Sequence, residues 1–119
     1  MIYTATSLSL AALEMLVHFD NDLAPKDFIS IAAVLPAHCA VQIMDAKSLP
    51  GDWRSVPPSP KTQALGSEWV ISQKSLVMKV PSVIIPEEHI VLLNPLHPDF
   101  LKIQQEPEQP FRFDFRLVT

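Results

Sequence analysis

Residues 2–18 read IYTATSLSLAALEMLVH, and this stretch sets the start of the fold. Its first three residues are strand formers, and either Thr6 or Ser7 can accept a backbone hydrogen bond as the N-cap of a helix. The apolar run from Leu8 to Phe19 then covers nearly the whole helical circumference, a pattern typical of a helix that is buried on all sides. The sequence therefore predicts a short strand followed by a buried helix.

Towards the carboxyl terminus, apolar runs separated by prolines predict further strands and a second helix. The alternating run 28–34 favours a central strand, and residues 41–44 favour a short one. Ser59 and Pro60 are the residue types of an N-cap and a first helical position, which predicts a helix that extends to about Ser72. The core candidates on this helix are Ala64, Leu65, Trp69 and Ile71.

Strand patterns dominate the last third of the chain. Residues 75–80 alternate, the run 83–85 resumes the extended pattern, and the apolar run 90–93 ends at Asn94. Residues 111–117 place phenylalanines on one face and charges on the other, which predicts a strand. We therefore predict an α+β fold, with two main helices on a mixed, twisted sheet of about five to seven strands.

The composition bounds the classes of protein to which the chain can belong. With 119 residues, of which 48% are hydrophobic, the chain is expected to form a single domain over residues 1–119. A net charge of −4 without a basic cluster argues against nucleic-acid binding. No apolar run has the length of a membrane span, and the two glycines form no phosphate-binding loop.

Thiol and imidazole groups give no sign of a metal site. The single Cys39 cannot form an internal disulfide or a thiolate zinc site, and the four histidines lack the spacing of metal ligands. We therefore expect no metal, and a reducing cytoplasm as the location of the protein.

Glu14 is the first candidate for chemistry. The residues one helical turn away from it are mostly apolar: Leu10, Ala11, Val17 and His18. A carboxylate in such surroundings either faces a cleft, where it attracts a cationic group, or lies with His18 on a narrow solvent-exposed stripe. The sequence leaves both interpretations open.

Four other polar residues are candidates for ligand binding. Ser82 follows a proline, and its hydroxyl can bind a sugar, an amide or simply a nearby backbone group. Ser75 has the same ambiguity. Tyr3 can stack on a ring or fill the core, and Asn94 can present its amide to a ligand or end a strand.

Several blocks of the sequence, in order, resemble the RES domain. This domain is the toxin of a bacterial type II toxin-antitoxin pair, and it is named after an arginine, a glutamate and a serine. The blocks are residues 2–5 leading into 10–18, then 62–69, 75–83 with its Val-Pro-Ser, 92–100 and the tail 107–117. The resemblance covers essentially the whole chain.

The resemblance implies a fold similar to ADP-ribosyltransferases and diphtheria-type toxins. It also implies an enzyme that splits the nicotinamide–ribose bond of its substrate NAD, with phosphate or water as the acceptor and no bound cofactor. Glu14 matches the family glutamate and Ser82 the family serine, with Ser75 as the other candidate serine. Tyr3 matches the family tyrosine, and Asn94 is a candidate NAD contact.

The family's arginine lies upstream of the tyrosine strand, whereas the first arginine here is Arg54, in a proline-rich loop with no claim to that role. The chain is therefore expected to be an N-terminally short RES domain. Its implied partner is an Xre-family helix-turn-helix antitoxin in the bacterial cytoplasm. Two alternatives stay open, namely a catalytically impaired fragment that only binds this antitoxin, and a protein ADP-ribosyltransferase.

Overall fold

A computed structural model describes residues 1–18 and 27–117. The described residues form an α+β fold, which confirms the predicted fold class. The helices are α1 (Leu8–Leu16) and α2 (Pro60–Ser72). The strands are β1 (Ile2–Ala5), β2 (Phe28–Ser30), β3 (Ala33–Val34), β4 (Val41–Ile43), β5 (Val77–Pro81), β6 (His89–Leu93), β7 (Gln104–Gln105) and β8 (Gln109–Phe111).

The strands are distributed over three sheets in the described part of the chain. A four-stranded mixed sheet has the order β1-β6-β5-β4, in which β5 pairs antiparallel with β6 and parallel with β4. Strands β2 and β8 form one antiparallel pair, and β3 and β7 form another. The prediction of one sheet with about five to seven strands is therefore wrong, because the strands outside the central four pair only two by two.

The run 28–34, predicted as a central strand, is instead divided into β2 and β3 in these two small pairs. Ile29 and Val34 remain 55% and 44% exposed, so neither β2 nor β3 has the two covered faces of a central strand. Alternation of apolar residues indicates a strand, but it does not say how many neighbours that strand has.

The C-terminal tail also departs from the predicted strand. Strand β8 ends at Phe111, and Phe113 folds into the interior, where its ring packs edge-on against Phe28 and Phe111. Asp114 then accepts hydrogen bonds from the backbone and side chain of Arg116 and so stabilises a 3₁₀ turn. The hydrogen bond from the Arg116 side chain is the main cause that lowers the pKa of Asp114.

Two apolar clusters lie on the two faces of the four-stranded sheet, because successive side chains of β5 and β6 point to opposite faces. Both helices contribute to one of them, the helix-side cluster, whose buried members are Leu10, Trp69, Met78, Ile90 and Leu92. The other contains Leu76, Val77, Val91 and Leu93. The helices therefore cover the same face of the sheet.

Helix α2 has the predicted start and end. Ser59 caps α2, with its hydroxyl accepting from the backbone of Thr62, and Trp69 is buried as expected. Ile71, predicted as a core residue, is 73% exposed.

Helix α1 is not the fully buried helix that the sequence predicts. Ser7 is its N-cap, and Leu10 is its buried residue, at 1% exposure. Leu8, Leu13, Met15 and Val17 are exposed, because α1 packs on the sheet through one side only. The predicted last residue of the helix, Phe19, lies outside the described residues. No helix in the described ranges combines the length and hydropathy that crossing a membrane requires.

Candidate active site

The connection between β5 and β6, residues 82–88, forms the centre of the candidate site and is called here the Ser82 loop. Ser82 Oγ accepts hydrogen bonds from the backbone N–H groups of Ile84 and Ile85, at 3.1 and 3.0 Å. The backbone of Ser82 also donates to the carbonyl of Glu88, at 2.8 Å. The predicted extended run 83–85 is therefore wrong, because the serine hydroxyl closes this segment into a turn.

Ser82 and Glu14 are in direct contact although 68 positions separate them in the sequence. Ser82 Oγ donates to Glu14 Oε1 at 2.6 Å, a length typical of a hydroxyl bonded to a carboxylate. Ser82 is fully buried, and Glu14 is half-buried on α1. The hydroxyl has one donor and two acceptor positions, and all three are occupied, so Ser82 orients the carboxylate.

The second carboxylate oxygen of Glu14, Oε2, has no hydrogen-bond partner in the described part of the chain. Of the two interpretations that the sequence left open, Glu14 is therefore neither on a fully solvated stripe nor sealed in the core. One of its oxygens is bonded to Ser82, and the other has no hydrogen-bond partner among residues 1–18 and 27–117.

Tyr3 lies on the same face of the sheet as the helices. It pairs with Leu92 in the β1–β6 register, and directly opposed residues of an antiparallel pair project to the same face. Leu92 belongs to the helix-side cluster that includes Leu10 of α1. The Tyr3 ring is 72% exposed, so it can stack on a planar ligand on that face.

Ser75 and Asn94 are bound to α2 and make no hydrogen bond to Glu14 or Ser82. Ser75 Oγ accepts from Trp69 Nε1 at 2.8 Å. Asn94 is fully buried; its Nδ2 donates to the carbonyl of Val70 at 3.0 Å, and its Oδ1 accepts from Leu96 N. Their polar groups thus have partners within the fold, and their predicted role in NAD binding stays a prediction.

Arg54 contacts the Ser82 loop, a contact that the sequence interpretation missed. Its Nε and Nη2 both donate to the carbonyl of Val83, at 3.2 and 2.7 Å. Val83 directly follows Ser82, yet it lies 29 positions from Arg54. No local pattern in the sequence indicates such a contact.

The family model of the RES domain matches residues 1–114. The chain belongs to the RES domain family. Three relatives are similar to nearly the whole of this chain. A Toxin Res of Photorhabdus laumondii is 42% identical over 98% of this chain and 75% of its own length. A Toxin Res of Yersinia enterocolitica is 35% identical over 98% of this chain and 76% of its own length.

The third relative of this RES chain has a more specific name. It is a Prs ADP-ribosylating toxin of a Sphingobium strain, 31% identical over 98% of this chain and 74% of its own length. The RES chain therefore spans about three quarters of the length of each of the three relatives.

The described residues of this RES chain contain no group of three or more His, Cys, Asp or Glu side chains that could hold a metal ion. At the Ser82 loop the structure instead places the Glu14 carboxylate and the Arg54 guanidinium, and the Tyr3 ring is exposed on the helix-side face of the same sheet. Such groups bind a substrate that carries a cationic ring and anionic groups.

We predict that Ser75→Ala destabilises this RES chain. The substitution leaves Trp69 Nε1 buried without an acceptor, so the free energy of unfolding should fall by about 1–3 kcal/mol. Urea unfolding followed by tryptophan fluorescence measures the change. Ser67→Ala, at an exposed position of α2, is the matched control and should stay within about 0.5 kcal/mol. Equal losses for the two variants would show that the Trp69–Ser75 hydrogen bond contributes nothing.

Proposed function

We propose that this RES chain is a toxin that degrades NAD by breaking the bond between nicotinamide and ribose. The observation that carries the proposal is the Glu14 carboxylate, which the buried Ser82 holds at one oxygen and which has no hydrogen bond at its other oxygen among the described residues. The relative named Prs ADP-ribosylating toxin supports NAD as the substrate, because transfer of ADP-ribose from NAD begins with cleavage of this same bond.

The chemistry requires a fixed negative charge beside the ribose. When the bond between the nicotinamide nitrogen and ribose C1′ breaks, its electron pair leaves with neutral nicotinamide, and positive charge develops on the ribose. The Glu14 carboxylate stabilises that charge if C1′ lies near its free oxygen. An acceptor oxygen of water or phosphate then bonds to C1′ and releases its proton to solvent or to Glu14.

Ser82 and Tyr3 have supporting roles in this proposal. Ser82 holds Glu14 in one orientation before the substrate binds, which removes the cost of ordering the carboxylate during the reaction. Tyr3, with its ring exposed on the same face of the sheet, provides a stacking surface for nicotinamide.

Release of nicotinamide tests the proposal directly. The purified chain is incubated with NAD in phosphate buffer and in phosphate-free buffer, and the products are separated and identified by mass spectrometry. We expect free nicotinamide together with a phosphorylated ADP-ribose or with ADP-ribose, according to which acceptor the enzyme uses. Nicotinamide at the level of a heat-denatured sample in both buffers would contradict the proposal.

A second candidate is ADP-ribosylation of a protein, which the name of the Sphingobium relative favours. The cleavage step is the same, but the acceptor is then a side chain of a target protein. Incubating the chain with a bacterial extract and biotin-labelled NAD distinguishes the two. Label that stays with one protein band supports this candidate, whereas label that appears only in small molecules supports NAD degradation.

We also propose, from family membership, that the chain pairs with an Xre-family helix-turn-helix antitoxin in the cytoplasm. Co-expression with a helix-turn-helix protein encoded by a neighbouring gene, followed by affinity purification, tests this partner. Failure of the two proteins to copurify would contradict it.

A further inference from the structure

We propose that Arg54 is a positioning residue of the candidate active site, acting on Glu14 through the backbone of the Ser82 loop. The inference rests on the proposed function for its effect on NAD turnover. Its structural part stands on the hydrogen bonds of the loop alone and is tested separately below.

Arg54 and Ser82 form hydrogen bonds with opposite ends of one peptide unit. The carbonyl of Val83 and the N–H of Ile84 belong to the same peptide bond, which is planar and resists rotation. Arg54 donates two hydrogen bonds to the carbonyl end, and the N–H end donates to Ser82 Oγ. A rotation of this peptide would break the contacts at both ends, so Arg54 fixes the direction from which Ser82 receives its backbone donor.

These bonds form a continuous chain of donors from a cation to an anion. The Arg54 guanidinium donates to the peptide, the peptide donates to Ser82 Oγ, and Ser82 Oγ donates to Glu14 Oε1. Each bond polarises the next in such a series. The positive end at Arg54 therefore strengthens the hydrogen bond that orients the Glu14 carboxylate.

The segment that carries Arg54 is itself held in place. Backbone hydrogen bonds from Trp53 to Pro50 and from Ser55 to Asp52 form consecutive turns around it. The Asp52 carboxylate accepts from the hydroxyl of Ser59, the N-cap of α2. A long arginine side chain loses much rotamer freedom when it is ordered. Because the backbone around Arg54 is already fixed by these turns, little backbone entropy is lost in addition when the side chain bonds to Val83.

The two donors from one planar group explain why arginine serves here. Guanidinium presents its N–H groups in a fixed fork, whereas the lysine ammonium is a point charge on a flexible stem. Lysine at position 54 would keep the charge but would not reproduce the pair of hydrogen bonds from one planar group to the carbonyl of Val83. The pair of substitutions Arg54→Lys and Arg54→Ala therefore separates charge from geometry.

Hydrogen exchange tests the structural part without reference to NAD. In Arg54→Ala, the amides of Ile84 and Ile85 should exchange at least about tenfold faster by NMR, because the peptide is free to rotate. Arg54→Lys should fall between this variant and the unchanged chain, and the amides of Val91 and Leu92 in β6 should not change. The matched control is Arg112→Ala, which removes an exposed ion pair with Asp27. Unchanged exchange at Ile84 in Arg54→Ala would overturn the proposal.

Steady-state kinetics of nicotinamide release test the effect on Glu14. We expect kcat to fall by about 10²-fold in Arg54→Ala with little change in KM, and added methylguanidinium to restore part of the loss. A rise in KM at unchanged kcat would overturn the positioning role and show that Arg54 binds the NAD phosphates. If the unchanged chain releases no nicotinamide, the proposed function fails, and the hydrogen-exchange result alone decides the role of Arg54.

Discussion

Glu14→Gln is expected to lower the rate of nicotinamide release from NAD by about 10²–10³-fold, the loss typical when one preorganised electrostatic group is removed. The amide has nearly the shape of the carboxylate, and its oxygen can still accept from Ser82 Oγ, as Glu14 Oε1 does at 2.6 Å. The substitution therefore removes the negative charge that stabilises the positive charge developing on the ribose, while it keeps the local geometry.

The loss should be in kcat, with little effect on folding. Stability should change by only about 1 kcal/mol, because a charge-assisted hydrogen bond becomes a neutral one. Glu68→Gln is the matched control, since Glu68 lies exposed on α2, and it should retain full turnover. Wild-type turnover in Glu14→Gln would exclude the carboxylate from the reaction.

Ser82→Ala is expected to impair both turnover and folding. The variant loses the donor to Glu14, and it leaves the N–H groups of Ile84 and Ile85 without their acceptor beside a buried position. An unsatisfied buried donor costs about 1–3 kcal/mol. Because small domains are stable by only about 5–15 kcal/mol, the unfolding midpoint in urea should fall clearly.

Turnover in Ser82→Ala should fall by about 10²-fold under conditions where the variant is still folded, because Glu14 is no longer oriented. Ser55→Ala is the control, since Ser55 is exposed in the loop before α2, and it should match the unchanged chain in both assays. An Ser82→Ala variant that keeps its stability but loses turnover would show that the hydroxyl contacts the substrate instead of closing the loop.

The parts of the fold that the sequence predicts well are those fixed by local chemistry. Ser59 and Pro60 specify the start of α2, because an N-cap hydroxyl and a proline at the first position act within one turn. The run 90–93 forms β6 and stops before Asn94, since an apolar segment followed by Asn-Pro needs no distant partner to be recognised.

The parts that it misses depend on what lies opposite in space. The alternating tail stops pairing after Phe111, and Phe113 is buried with its ring edge-on against Phe28. Helix α1 contains enough apolar residues for complete burial, yet the sheet covers only the side that carries Leu10. The spacing of apolar residues indicates whether a segment is a helix or a strand, but it does not show which other elements will pack against that segment.

The candidate site divides in the same way. Resemblance to the RES domain named Glu14 and Ser82 as a pair, and the structure places them in contact across 68 positions. Ser75 is bonded to Trp69 instead, and the choice of Ser82 as the family serine stays a prediction. The sequence did not indicate the contact of Arg54 with the Ser82 loop. Its partner is the backbone carbonyl of Val83, and every residue type has such a carbonyl.

The central claim is that NAD binds with its nicotinamide ribose at Glu14. A crystal structure of the slow variant Glu14→Gln with NAD tests it most directly. We predict ribose C1′ within about 3.5 Å of the side chain at position 14, the nicotinamide ring against Tyr3, and the Ser82 loop unchanged. NAD bound with its nicotinamide ribose away from position 14 and the Ser82 loop, or no NAD bound at saturating concentration, would contradict the claim.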